Sequence, residues 1–485
     1  MQLSLDKKGT LYDQIARAIR LALLEGGIVA GDRLPSTRTL ATALGVSRKS
    51  VLQAYEQLCA EGLAIARGAS GTRVVKVVDS AAKITTEIDE VPASCYAVRL
   101  RSLPPISLAG AHFSGRLKYD LRYGEPLVDS ALFHSWRRKV AAAAALRRGP
   151  AYPLPGGYRP LRRAIASYLG RHRGVICEPS DVLVVGGTQQ ALTIVERVLL
   201  DPGDHVVVED PHYQLALHSL LAHGAHVTHV PTDQDGLIVS ELPRHPTRLI
   251  LITPSHQFPS GVAMTMARRL ELLKWAARTS TWIFEDDYDS EFHSGDRPLA
   301  ALRSLDRADR VLYVGSFSKT LFPSLRLGYI VCPKALRRDL YRAKMMDDLG
   351  SSVTEQAALA SFIRNGQYEN HLRRSAKEIA DRRLAIVEAL SSLSDAHIEI
   401  GAHQAGMHLI VWLRNLGFDR LTAFIEYARS FGLGLYPVHP YYHIRPSRPG
   451  LLIGYAGLSV GELRAAIELL GRCLAREDAA RQLLG

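Results

Sequence analysis

Apolar residues recur four apart in LYDQIARAIRLALLEG, at Leu11, Ile15, Ile19 and Leu23. That spacing predicts an amphipathic helix, ended by Gly26-Gly27. STRTLATALG reads as a second, short helix, with Ser36 placed to cap its start and Gly45 to stop it. VSRKSVLQAYEQLCAEG reads as a third, capped by Ser47, with Val51, Tyr55 and Leu58 facing inward. Two short helices about a tight, glycine-containing turn predict a helix-turn-helix. The runs LAIAR and TRVV on either side of GASG predict a small β-hairpin, or wing, after it.

The pattern fades from Asp79 to Lys118, a small, polar and proline-containing stretch that reads as a linker. Beyond it, apolar runs alternate with helical spacings. DVLVVGG (181–187), HVVVED (205–210), RLILIT (248–253), TWIFEDD (281–287) and RVLYVGS (310–316) are almost continuously hydrophobic. Strands of that kind belong to a mostly parallel sheet covered on both faces, the α/β arrangement. The expected organisation is multidomain: a winged helix-turn-helix at 1–78, a linker at 79–118, and an α/β domain at 119–485.

Charge sharpens this picture. The chain carries a formal net charge of +12, and residues 1–78 hold 11 basic against 6 acidic side chains. A basic surplus on a helix-turn-helix suits double-stranded DNA, and Arg48, Lys49, Ser50 and Gln53 fall on the outer, N-terminal part of the helix that would meet it. The five cysteines are scattered without a C-x-x-C pair, so a disulfide frame and a metal site are not expected. No apolar run is long enough for a membrane span, and the reading is of a soluble cytoplasmic protein.

The chemistry gathers at the carboxyl ends of the predicted strands, where open α/β sheets bind ligands. GGTQQAL opens a helix after the first strand, giving Thr188, Gln189 and backbone N–H groups suited to a phosphate. EDDYDSEF puts a carboxylate and the Tyr288 phenol at another strand end; strand alternation lets only one of Asp286 and Asp287 face the site, without saying which. VEDPHYQ offers Tyr213 as a stacking ring. GSFSKTLFPSLRLGY sets Lys319 beside Ser316, Ser318 and Arg326. A lysine amine depressed by burial and neighbouring positive charge can form a Schiff base, and an arginine can grip a phosphate through paired bonds.

Two resemblances bear on these stretches. GDRLPSTRTLA, GVSR and AYEQL resemble the winged helix of GntR-type bacterial regulators. That resemblance implies DNA contacts from Arg33, Ser36, Arg38, Ser47, Arg48, Ser50 and Gly71. Lys49, where the family often has threonine, suits a phosphate contact. Residues 119 to about 475 resemble fold-type I aminotransferases, with HQFPSG (256–261) as their N-P-T-G loop, and the joined architecture resembles the MocR/GabR-type regulators. The resemblance implies pyridoxal 5′-phosphate (PLP) bound as an aldimine to Lys319, with Asp286, Tyr288 and Tyr213 about its ring. Thr188, Gln189, Ser316, Ser318 and Arg326 would hold its phosphate. Tyr152 in AYPLPGG resembles a tyrosine that reaches the phosphate from the other subunit, implying a domain-swapped homodimer.

Two departures separate the chain from the enzymes it resembles. Phe258 stands where they place a hydrogen-bonding asparagine, and Leu452 in GLLIGYAGL where they carry an arginine for the substrate carboxylate. Arg445 and Arg448 in HPYYHIRPSRPG are candidate substitutes for that arginine. The expected function is therefore a PLP-dependent transcriptional regulator with at most weak transaminase activity, in which PLP, alone or with an amine effector, changes operator binding. An active aminotransferase carrying a DNA-binding domain is the alternative. A third reading is a repressor whose large domain only dimerises.

Overall fold

The computed structural model describes residues 3–75, 93–105, 117–128, 130–145, 153–292, 300–393, 397–402 and 406–482. Its contacts divide it into two compact units, Met1–Pro92 and Ala93–Gly485.

In the first unit, helix α1 (Leu11–Leu24) packs against α3 (Arg48–Ala60), with α2 (Thr37–Leu44) between them in the chain. The predicted caps form. Ser36 Oγ accepts from the Thr39 N–H and Ser47 Oγ from the Ser50 N–H, both at 3.1 Å, and Gly45 closes α2 at φ +66°. A positive φ costs glycine nothing, and Gly45 lets the chain reverse directly into α3. Strands β1 (Ala64–Ala66) and β2 (Thr72–Val74) pair antiparallel as the wing. Ile15, Ile19, Val51, Tyr55 and Leu58 are buried in one core, while Leu11 is 45% exposed and Leu23 only partly covered. The amphipathic helix is present, with Ile15 and Ile19 at the centre of its buried face. A row of residues spaced by four drifts about 40° per step around a 3.6-residue turn, so the ends of the row leave the contact stripe.

The second unit is built on an eight-stranded sheet. In spatial order its strands are Val182–Val185, Gly328–Val331, Val311–Ser316, Trp282–Asp287, Leu249–Ile252, His205–Asp210, His226–Asp233 and Gly236–Leu237. The strands from Val311–Ser316 to His226–Asp233 run parallel. Gly328–Val331 lies antiparallel to both its neighbours, and Gly236–Leu237 antiparallel to its one. Every predicted strand is present, buried on both faces. Leu183 and Val185 point into one apolar layer and Val182 and Val184 into the other. A smaller antiparallel sheet joins Ile398–Ile400, His408–Leu413 and Gly450–Gly454, with the helix Val460–Gln482 following.

Within the stretch expected as linker, Cys95–Ser102 is a helix, capped by Ser94 Oγ accepting from the Ala97 N–H at 3.2 Å. Arg99 donates to the carbonyls of Ala222 and His223 at 2.8 and 3.0 Å, closing the C-terminal end of the helix Gln214–His223. Among the described residues, no helix is long and apolar enough to cross a membrane.

Candidate functional site

A cavity of about 410 Å³ opens at the carboxyl ends of the parallel strands. Lys319, Asp286, Tyr288, Tyr213, Thr188, Gln189, Ser316, Ser318 and Arg326 all line it, although they come from four separate stretches of chain. Tyr152 lies outside the described residues.

Lys319 follows the strand Val311–Ser316, and its Nζ donates to the Gly124 carbonyl at 3.0 Å. Removal from water lowers its pKa below the usual lysine value, the opposing pull of Asp289 and Asp286 notwithstanding. A lysine so placed gives up its proton more readily than one in water, as imine formation requires.

The strand Trp282–Asp287 separates the two candidate carboxylates. Asp287 points away from the cavity and is held by buried Arg173 at 2.8 Å and by the Tyr313 hydroxyl. Asp286 faces the cavity, where its one side-chain hydrogen bond among the described residues comes from Thr188 Oγ1 at a long 3.4 Å. Burial first, and the charge of Asp287 second, push Asp286 up to about 7. An under-satisfied carboxylate of this kind suits a ring N–H⁺ as its partner.

On the far wall the turn before helix Thr188–Leu199 meets Arg326. Gly187 adopts φ +102°, and a Cβ there would lie 3.2 Å from the guanidinium, so the bare backbone is what lets Arg326 lie against the helix start. Gly328 is just as confined: a Cβ would come within 2.8 Å of the Gly315 carbonyl. Thr188, Gln189, Ser316, Ser318 and Arg326 thus collect hydroxyl, amide and guanidinium donors at a helix N-terminus, a donor set that fits a phosphate. Among the described residues Gln189 Oε1 is buried without a partner.

Sequence reasoning missed Tyr123, Gly124, Thr253, Asp289, Met407 and His408, which also line the cavity, and His256 just behind it. His256 Nδ1 lies 2.9 Å from Asp289 Oδ2 and 3.0 Å from Tyr288 Oη, and its ring is 4.9 Å from that of His408. The acidic run EDDYDSEF did carry a signal for Asp289; Tyr123 and His408 lie in stretches with no motif. Leu452 is fully buried beside Phe258, Ile410, Val438 and Tyr441, an apolar cluster backing the cavity. Neither Arg445 nor Arg448 lines the cavity: Arg445 stacks 3.6 Å from the Phe418 ring centroid, and Arg448 pairs with Glu399 at 2.7 Å.

In the N-terminal unit, Arg33, Arg38, Ser36, Ser47, Arg48 and Lys49 are exposed, and Ser50 is half-buried. Ser36 and Ser47 use their hydroxyls as caps, and Arg48 Nε donates to Thr37 Oγ1 at 3.2 Å, tying α3 to α2. Gly71, at φ +82°, disfavours any side chain, and a Cβ there would lie 2.8 Å from Arg33 Nε, so the Arg33 side chain lies against the wing turn. The wing turn and Arg33 are therefore one contiguous surface.

Two family models match the chain: "Bacterial regulatory proteins, gntR family" over residues 11–74, and "Aminotransferase class I and II" over residues 117–469. A probable rhizopine catabolism regulatory protein, MocR, of Rhizobium meliloti is 35% identical over 95% of this chain and 93% of its own. The chain belongs to the MocR-type regulators. Other relatives of this MocR-type chain include the HTH-type pyridoxine biosynthesis transcriptional regulator PdxR of Corynebacterium glutamicum, 32% identical over 82% of each chain. Among solved structures, LysN, the α-aminoadipate aminotransferase of Thermus thermophilus complexed with N-(5′-phosphopyridoxyl)-L-leucine, matches with TM-score 0.70 and 25% identity, over 80% of this chain and 98% of its own. The MocR-type chain is thus a GntR-family helix-turn-helix transcriptional regulator whose larger part is an aminotransferase domain.

Proposed function

We propose that this regulator senses PLP, held on Lys319 in the large domain, and that PLP alone or with an amine effector changes how the winged helix binds its operator. The observation that carries the reading is the convergence of Lys319, Asp286 and the Arg326–Thr188 donors on one cavity. PLP supplies an electrophilic carbonyl and an electron-withdrawing ring when bound. Arg326, Ser316, Ser318, Thr188 and Gln189 would hold its phosphate, Asp286 its ring nitrogen, and Tyr213 would lie against the ring. Ligation of a phosphopyridoxyl adduct by LysN and the pyridoxine-linked name of PdxR are consistent with it.

A sensing role, with little turnover, is favoured by the cavity wall. Phe258 offers no donor, Leu452 is sealed in an apolar cluster, and Arg445 and Arg448 are engaged elsewhere. A free α-carboxylate finds no guanidinium on that side among the described residues, which favours PLP itself, or an amine without that group, as the signal. For the signal to reach DNA, PLP must bind two arrangements of the protein with different affinity. The winged helix would meet DNA through Arg33, Ser36, Arg38, Ser47, Arg48, Lys49, Ser50 and Gly71. We further propose a domain division at 1–78 and 119–485, a homodimer as the working form, and a cytoplasmic location.

The test is the visible absorption of purified protein titrated with PLP, beside Lys319→Ala, with operator affinity measured in parallel. The reading expects a band in the native protein alone, and a PLP-dependent change in operator affinity that the variant lacks while its basal DNA binding persists. A band of equal strength in Lys319→Ala, or none in either, refutes it. Steady keto-acid release from an amine donor would instead favour the working aminotransferase.

A further inference from the structure

Three buried or half-buried groups behind the cavity form a chain whose hydrogen positions follow from chemistry. Asp289, 2% exposed, faces His256, 3% exposed, with its two carboxylate oxygens 2.9 and 3.1 Å from the same ring nitrogen, Nδ1. An ionised carboxylate can only accept, so Nδ1 carries a hydrogen. Among the described residues the other ring nitrogen, Nε2, is buried with no partner, as it would be when bare; a hydrogen there would be an unsatisfied buried donor. The Asp289 contact therefore fixes a hydrogen on Nδ1, and the geometry fits the Nδ1–H tautomer.

This fixes Tyr288. Its Oη lies 3.0 Å from the same Nδ1, which already bears a hydrogen and cannot accept another. Tyr288 oxygen is thus the acceptor in that contact, and its own O–H must point elsewhere. Tyr288 lines the cavity, and no other hydrogen bond of its hydroxyl is present among the described residues.

We propose that His256, anchored by Asp289, is a positioning residue that turns the Tyr288 hydroxyl hydrogen into the cavity, making Tyr288 a fixed donor to an oxygen bound there. The proposal rests on the PLP reading above for the identity of that oxygen, the ring oxygen of the cofactor. It also accounts for how the site works without the asparagine donor that Phe258 replaces: a single tyrosine donor is held in place, where two would otherwise share the task. The groups facing this chain are Asp286, Glu209 and Tyr123 around Tyr288, and His408, itself near Lys319, beside His256. His408, fully enclosed, is held neutral by its removal from water and adds no charge. The carboxylate of Asp289 and the rings of His256 and His408 lie close enough to share a cation, with ligand atoms within 4.8 Å. The 2.9 Å contact already satisfies Asp289 through a hydrogen, so the chain is complete as it stands.

A donor to the ring oxygen weakens that oxygen's hold on the neighbouring imine proton, so the visible band of PLP-loaded protein should titrate at lower pH when the donor is in place. His256→Phe keeps an aromatic ring and removes Nδ1, so nothing holds the Tyr288 hydroxyl hydrogen toward the cavity. The band's midpoint is expected to rise by about one pH unit, the worth of one neutral hydrogen bond. Tyr288→Phe should raise it at least as far, and adding His256→Phe to Tyr288→Phe should move it no further. Equal shifts from His256→Phe with and without Tyr288, or no shift from His256→Phe alone, overturn the proposal while the band itself still attests PLP binding. Absence of any band in the native protein sinks the PLP reading instead. In that case ¹⁵N NMR of the ligand-free protein, with His256 assigned by its loss in His256→Phe, decides the geometry. A hydrogen on Nδ1 and a bare Nε2 uphold it; the opposite tautomer or a charged ring refutes it.

Discussion

Replacing Asp286 by asparagine removes a charge from the cavity wall while keeping the side chain's size. In the ligand-free protein Asp286 sits at about 7 instead of 3.8, chiefly because burial penalises its ionised form. In the unfolded chain the same carboxyl ionises near its ordinary value. Between those two pH values the folded state binds the extra proton, so stability falls as pH rises, and the loss is complete once pH passes about 7. At about 1.4 kcal/mol per pH unit the difference between pH 5 and pH 7 is on the order of 3 kcal/mol. Water reaching the open side of the half-buried carboxyl reduces this to on the order of 2 kcal/mol. Asp286→Asn escapes the penalty. Its melting temperature relative to the native protein should therefore rise between pH 5 and pH 8 by about 2–4 °C, measured by differential scanning fluorimetry without ligand. Adding PLP should reverse the ranking, because a ring N–H⁺ compensates the carboxylate and not the amide. A stability difference that does not depend on pH would refute the argument from burial. An undiminished PLP-induced gain in the variant would refute the assignment of Asp286 to the ring nitrogen.

The neighbouring carboxylate gives the opposite kind of outcome. Arg173→Leu strands Asp287 with only the Tyr313 hydroxyl, and should destabilise the large domain by about 3–5 kcal/mol in thermal or denaturant melts, with Arg173→Leu/Asp287→Leu recovering much of it. In the DNA-binding unit, Arg48→Ala should weaken operator binding and reduce the slope of log affinity against log salt by about one, read by fluorescence anisotropy at several salt concentrations. An unchanged slope would remove Arg48 from phosphate contact.

What the sequence made legible follows the range of the interactions involved. The caps of α2 and α3 were readable because Ser36, Ser47 and Gly45 act within three or four residues of themselves. The parallel strands were readable because burial on both faces leaves no polar alternation to confuse them. Alternation left Asp286 and Asp287 equivalent, since either could have faced the cavity; the partner that decides, Arg173, lies 114 residues away. The chain from Asp289 to His256 to Tyr288 was illegible for the same reason, spanning 33 residues and two strand ends. Helix Cys95–Ser102 escaped notice because its apolar residues make no core: Tyr96, Val98 and Leu100 are all exposed, and its fixing contact is one guanidinium.

That guanidinium has a mechanical consequence. The helix Gln214–His223 begins directly after Tyr213 in the cavity wall and ends under Arg99. Its ten residues make a rod about 15 Å long with no glycine or proline to bend it. A contact that displaces Tyr213 therefore bears on a stiff element whose other end is pinned by Arg99, all within one compact unit.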